Sequence, residues 1–402
     1  MTGTIADDPD VAEASISLRL TSILIGNSNT ELNGSVYAKL SGKHDINRGD
    51  RITISGTLSE GFGPYLASFH RPKLIQIYKS TVQNPALAIR DWFSDLVREY
   101  IPPPEVDLAL GYLLGARRAL PPDLSDTLRF VGLTHIVVAS GYNLSVLVGI
   151  SRKLFGRLSR FSALLGSALL IVSFIAITGL SPSMTRAGLI SGLSLIAWYF
   201  GRHWHPIRIL LLAAAITLTL SPYYILDLGW LLSFASFAGV MLVGPLLTKF
   251  FYGVQEPNFI AATLIETLAA QLVCLPILIY FFGSISVISI IPNILVLPTI
   301  PYTMLLTALT GATAWIPFLA SILGAIAELL LHYQLIIIEF FGTLSWSILQ
   351  LESQNITATI IISAAIIAIC IFLKLYTRHD FRPRRLLDFT PIYGIIPLND
   401  SS

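Results

Sequence analysis

Polar or helix-breaking residues, among them Gly132, Thr134, His135, Ser140, Gly141 and Asn143, interrupt the largely apolar run from Gly132 to Val148. Polar groups at bilayer depth cost several kcal/mol, about 2.5 or more for a charge, unless they find partners. A cluster of them in apolar sequence therefore reads as the lining of a pore or transport site. Close helix packing through the small residues Ser140 and Gly141 is the competing reading. Arg186 opens an apolar run just after the turn residues Gly179-Leu-Ser-Pro182. A guanidinium there faces a phosphate backbone or pairs with a carboxylate such as Asp227 or Glu266. Asn293 and Pro298 fall in the proline-broken stretch Ile291-Pro292-Asn293-Ile-Leu-Val-Leu-Pro298-Thr-Ile-Pro301. Irregular backbone at membrane depth survives only where it lines a water-filled cavity or is buried in protein.

Other titratable groups leave two readings open. Glu266 and Gln271 share one apolar run, and Glu328, His332, Gln334 and Glu339 another. Glu328 and His332 are i, i+4 neighbours on a helix, so the second set forms an internal seam that serves as a proton relay or as a structural network. His135 is a satisfied core histidine or a base. Ser140 and His135, the only nucleophile and base close in sequence, fall on different helix faces, which ranks a membrane hydrolase behind a transporter. Cys274 and Cys370 sit in apolar runs and no Cys/His metal spacing occurs, so neither metal nor cofactor is expected. No Gly-x-x-x-x-Gly-Lys-Ser/Thr loop is present, so an ATPase would be a separate chain.

The elements that position these residues are membrane helices. The chain is 54% hydrophobic and 12% charged, with a mean hydropathy of +0.71. Its net charge of +2 implies no nucleic-acid partner by itself. Apolar runs near 133–151, 161–179, 187–200, 207–224, 228–247, 259–282, 318–341 and 355–375 are expected to span, and the broken stretch at 285–317 adds one more, giving about nine crossings. Arg152, Lys153, Arg157 and Arg160, then Arg202 and Arg208, Lys249, and the tail residues Lys374, Arg378, Arg382, Arg384 and Arg385 mark cytoplasmic loops and a cytoplasmic C-terminus. The fold class is thus a polytopic α-helical membrane protein.

Residues 1–80 differ in kind. Alternating segments such as Ser15–Leu20, Gly34–Leu40, Arg51–Leu58 and Lys73–Tyr78, separated by Gly and Asn turns, predict a small β-barrel of OB type, placed outside the membrane. Its basic residues Lys39, Lys43, Arg48, Arg51, Lys73 and Lys79 form either a nucleic-acid face or an ordinary solvated surface. Tyr37, Phe62, Tyr65 and Phe69 are base-stacking platforms or packing residues. Residues 81–130 read as an amphipathic, interfacial linker with Ile89, Trp92, Phe93 and Leu96 at helical spacing, 131–377 as the transmembrane domain, and 378–402 as a basic tail. No signal peptide or apolar anchor precedes the first strand, so the natural start is expected further upstream.

Several ordered segments resemble one family. The opening run is similar to the "aGl.HllaiSGlH" signature of the ComEC competence proteins, with Asn143 where the family has His. Leu113-Leu-Gly115-Ala-Arg117 resembles its "LLLGdr", with Ala116 in place of the acidic residue. Gly179 to Ala187 resembles "G...S..RA", Asp227 to Phe234 resembles "d.gfqLSf", and Asn293 to Pro298 resembles "Nl.a.P". The resemblance implies a non-enzymatic channel of the cell inner membrane that conducts single-stranded DNA inward during natural transformation. It further implies an OB-like domain that receives the strand, and a metallo-β-lactamase-like domain that many relatives carry and this chain is expected to lack. Partners so implied are single-stranded DNA, the lipid bilayer, a separate ATPase, DNA receptor and nuclease of the competence machinery, and a second copy in a homo-oligomer. On this reading His135, Ser140, Gly141, Asn143, Arg186, Ser233, Glu266, Asn293 and Pro298 line the path. The alternative is an ion- or proton-coupled transporter of a small solute, using the carboxylates.

Overall fold

A computed structural model describes residues 1–377 except 8, 13–14, 26–30, 33, 43, 45, 62–64, 80–84, 116–119, 138–140, 158, 180–181, 202–204, 254, 287–288, 345–347 and 351–354. The expectations for Lys43, Ser140, Phe62, Arg202 and the tail at 378–402 lie outside the described residues.

Period-two patterning builds the first domain. Its strands are β1 (Thr2–Ile5), β2 (Asp10–Ala12), β3 (Ser15–Leu24), β4 (Glu31–Leu32), β5 (Val36–Ser41), β6 (Arg51–Glu60) and β7 (Ala67–Tyr78). Ile16, Leu18 and Leu20 of β3, Val36, Ala38 and Leu40 of β5, and Ile52 and Ile54 of β6 are buried together, each large aliphatic contributing roughly 1.5–3 kcal/mol. Pairing is antiparallel for β1–β3, β3–β5, β6–β7 and β1–β6, and parallel for β5–β7. The pairings therefore return to their start, in the cycle β1–β3–β5–β7–β6–β1. Bulges supply the bending that such a cycle needs. On β3 the extra residue is Ser22, at φ 50, between the pairs Thr2↔Leu24 and Thr4↔Thr21. On β7 one bulge contains Pro72, which has no N–H to give to the ladder, between Ser55↔Lys73 and Thr57↔His70.

The remainder is helical: α1 (Pro85–Arg98), α2 (Glu105–Leu114), α3 (Pro122–Val131), α4 (Thr134–Val137), α5 (Gly141–Gly156), α6 (Arg160–Thr178), α7 (Pro182–Tyr199), α8 (Pro206–Leu220), α9 (Leu228–Leu242), α10 (Gly244–Tyr252), α11 (Phe259–Phe282), α12 (Ile290–Val296), α13 (Ile300–Ala312), α14 (Pro317–Gly342) and α15 (Ile356–Tyr376). A short antiparallel pair, β8 (Ser284–Ser286) with β9 (Ile348–Gln350), joins the segments after α11 and α14. Side-chain caps start α6, α9, α11 and α15: Ser159 accepts from Ser162 N–H, Asp227 from Trp230, Asn258 from Ala261 and Asn355 from Ala358.

Among the described residues six helical segments are long and apolar enough to cross a membrane: α6, α9 with α10, α11, α12 with α13, α14 and α15. The protein is a multi-pass helical membrane protein. The stretch Ile290–Ala312 forms one such segment, broken at Pro298 by a 3-10 turn over Leu297–Thr299. Of the run expected to span from 133 to 151, the described residues form α4 and α5.

Helix α2 is the hub of the largest core. All ten of its residues are buried, Glu105 and Asp107 included. Leu108, Leu110 and Tyr112 pack with Leu128 and Val131 of α3, Ile136 of α4, Val296 of α12, Met304 of α13 and Leu331 of α14. Buried carboxylates need partners. Arg98 Nη2 donates to Asp107 Oδ1 at 2.7 Å, and His332 Nδ1 of α14 lies 2.9 Å from Glu105 Oε1. The β-domain meets the helices at the carboxyl end of α6, where Arg48 Nη2 donates to the carbonyl of Ala176 at 2.8 Å. Asp227, the cap of α9, is within electrostatic reach of Arg19 and Asp7 of the same domain. The basic segment bearing Arg152, Arg157 and Arg160 is at the opposite end of α6.

Candidate functional site

Arg186 is 7% exposed, in the first turns of α7. Its Cζ stands 5.8 Å from the ring centre of Phe234 and 5.4 Å from that of Phe237. The two rings are three residues apart on α9 and so share one helix face. A cation over an aromatic ring is worth about 0.5–1 kcal/mol at an exposed site and about 2 when desolvated. Gly141 closes the other side, because a Cβ there would lie 2.9 Å from Arg186 Nη2 and 3.1 Å from Ala187 Cβ. A side chain at position 141 would take the space that the guanidinium occupies. Gly141, Arg186 and the Phe234 segment, remote in sequence, converge here.

Asn143, one turn into α5, is fully buried. Its Nδ2 donates to the carbonyls of Tyr112, at 2.9 Å, and Ile136, at 3.1 Å. One amide thus ties α5 to the last turn of α2 and to α4.

A second polar group forms around Ser289. Gly132, at φ 81, comes so near that a Cβ would be 2.7 Å from Ser289 Cβ. Gln271 Nε2 of α11 donates to Ser289 Oγ at 3.3 Å, and Asn293 Nδ2 to the Ser289 carbonyl at 2.7 Å. His135 Nδ1 lies 3.0 Å from the carbonyl of Gly132, so the start of the opening motif and Asn293 meet at one place. On the inner side of α13 and α14, Gln334 Nε2 donates to Thr299 Oγ1 at 2.7 Å. Asn293 Oδ1, Thr307 Oγ1 and Gln334 Oε1 are buried with no hydrogen-bond partner among the described residues. Each such acceptor costs about 1–3 kcal/mol unless water or a ligand reaches it.

The family model described as "Competence protein" matches residues 112–376. The chain belongs to the competence protein family. It is also 26% identical over 231 residues to ComE operon protein 3 of Bacillus subtilis (strain 168), a match covering 56% of this chain and 28% of that protein. The chain thus spans less than a third of that relative's length in the match. No solved structure matches it. In this competence protein the matched region begins at Tyr112, whose carbonyl accepts from Asn143, and ends at Tyr376, the last residue of α15.

The remaining expected residues lie apart from these clusters or at their edges. Ser233 is half-buried on α9, Glu266 half-buried on α11, and Pro298 half-buried in its 3-10 turn. Of the seam expected within α14, His332 pairs with Glu105 of α2, Glu328 is half-buried, Gln334 is buried against Thr299, and Glu339 is exposed. In the β-domain Lys39, Arg51 and Lys73 are exposed, Lys79 pairs with Asp50 at 3.4 Å, and Arg48 is turned to α6. No three His, Cys, Asp or Glu side chains among the described residues are grouped to hold a metal. Sequence reasoning missed Ser289, Phe237, and the acceptor carbonyls of Tyr112 and Ile136. Phe237 alone carried a signal, as the i+3 neighbour of Phe234.

Proposed function

We propose that this chain conducts single-stranded DNA across the cytoplasmic membrane during natural transformation, with the β-domain outside and Arg186 facing the strand's phosphates near the mouth of the path. The observation that carries this reading is the convergence of Gly141, Arg186 and the Phe234/Phe237 pair close to the bundle end on which the β-domain is seated. The β-domain's closed strand cycle, in which β5–β7 is the parallel pair among the described residues, supports reading it as a barrel of OB type, a fold whose open face takes oligonucleotides. Exposed Lys39, Arg51 and Lys73 supply phosphate contacts. Arg152, Arg157 and Arg160 lie at the far end of α6, and by the positive-inside rule this supports a cytoplasmic side there and the β-domain outside. The buried acceptors of Asn293, Thr307 and Gln334 offer water a polar lining. The chain acts without nuclease activity of its own, with the ATPase, DNA receptor and nuclease as separate partners and a second copy as a further one.

The test is uptake of labelled DNA into the cytoplasm of cells carrying Arg186→Lys, which keeps the charge and loses the planar fork. Uptake should fall at least about tenfold while the protein stays in the membrane at normal level, since each 1.4 kcal/mol lost on a phosphate contact is a factor of ten. Undiminished uptake in well-expressed protein would sink the reading.

A further inference from the structure

We infer that Arg48 is a positioning residue that pins the β-domain over the end of the helix bundle, and is not one of its DNA contacts. The inference deepens the uptake reading and rests on it only for its functional consequence. Arg48 sits in the turn before β6, half-buried, among basic residues that otherwise face solvent. Its Nη2 donates to the carbonyls of Ala176, at 2.8 Å, and Ile177, at 3.5 Å. These belong to the last turn of α6, where carbonyls lack helical partners and the dipole is negative, so a cation suits the place twice over. The receiving surface is shaped for it. Gly179, the C-cap of α6, is at φ 97 and ψ 165, a conformation L side chains rarely adopt. A Cβ on Gly179 would lie 2.5 Å from Arg48 Nη1. The glycine thus serves both the turn and the docked guanidinium. Asp227, at the start of α9 on the same end of the bundle, is also within electrostatic reach of Arg19 of the domain.

The pin is tested on the full chain in lipid nanodiscs, with Cys274 and Cys370 replaced and spin labels at exposed Lys39→Cys and Tyr223→Cys. Pulsed dipolar spectroscopy should give a narrow distance distribution for otherwise unaltered protein. Arg48→Ala should shift the docked population about tenfold toward broad, longer distances, the usual scale for a lost charge-assisted bond. Arg48→Lys, which still donates to a carbonyl, should restore most of the narrow component. Gly179→Ala should reproduce the Arg48→Ala distribution with Arg48 intact, and it keeps the idea testable if Arg48→Ala misfolds. Unchanged distributions in both Arg48→Ala and Gly179→Ala would overturn the pin. Because distances are read without DNA, loss of docking with undiminished DNA uptake would count against the domain's role in delivery and leave the pin standing.

Discussion

Asn143 illustrates what a single side chain in this fold does. It gives hydrogen bonds to two backbone carbonyls from different elements. Leucine at 143 would leave both acceptors buried, at about 1–3 kcal/mol each, so Asn143→Leu should lose roughly 2–6 kcal/mol in reversible unfolding from detergent micelles. Asn143→His keeps one ring donor and should lose less than half as much. Asp227 makes a second prediction. Burial raises its carboxyl above the usual range, with the Trp230 N–H bond and Arg19 opposing. A raised folded-state value means that the native protein holds the proton more tightly than the unfolded chain. The stabilisation is complete below the unfolded value near 3.8 and fades as pH rises through the folded one. Asp227→Asn keeps the cap without the charge, so its melting temperature should gain on the wild type between pH 4 and pH 7. Asp227→Ala should lose about 1 kcal/mol of capping across that range. Arg186, Asn143 and Asn293 stand out in the sequence because each is polar in an apolar run, while the carbonyls that accept from the two asparagines do not, since every residue carries a carbonyl and none leaves a mark in the sequence.

At the level of elements, patterning told strand from helix wherever one face is dry. The alternation of Ile16, Leu18 and Leu20 and the long runs of α11, α14 and α15 are of this kind. It failed at α2. Ten residues with two carboxylates read as a linker too short to span, yet every one is buried, because Arg98 pairs with Asp107 and His332 lies within hydrogen-bond distance of Glu105 from outside the helix. Around the expected span over 133–151, the Asn143 crosslink and the close approach of Gly141 to Arg186 hold α5 against α2, α4 and α7. Gly111 is a sensitive point in this arrangement, since a Cβ would stand 2.5 Å from Val137 Cγ1. Gly111→Val should push α4 from α2 and cost about 2–3 kcal/mol by overpacking, seen as a lower unfolding midpoint and faster proteolysis between α2 and α5.

For the whole molecule the prediction is topological. Cysteines placed one at a time on a cysteine-free background should react with a membrane-impermeant maleimide from outside at Lys39 and only from inside at Arg157. Labelling of both from one side would contradict the far-end relation that α6 imposes. The two-part organisation was readable from composition, because the β-domain closes its own core within the first 80 residues. How the parts meet was not readable. Arg48 looked like any other surface cation until the carbonyls of Ala176 and Ile177, some 128 positions away, came beside it.

The pairing of Glu105 with His332 also sets a clock on synthesis. The two residues are 227 positions apart. At about 5–20 residues per second, a ribosome takes on the order of 10–45 s to make the partner after Glu105 has emerged. Throughout that interval a helix with no face suited to either water or lipid waits without α13 and α14, the neighbours that bury it. Nascent chains stalled before residue 317 should accordingly hold α2 in a protease-sensitive state or in the grip of an insertase, and release it only once α14 has been added.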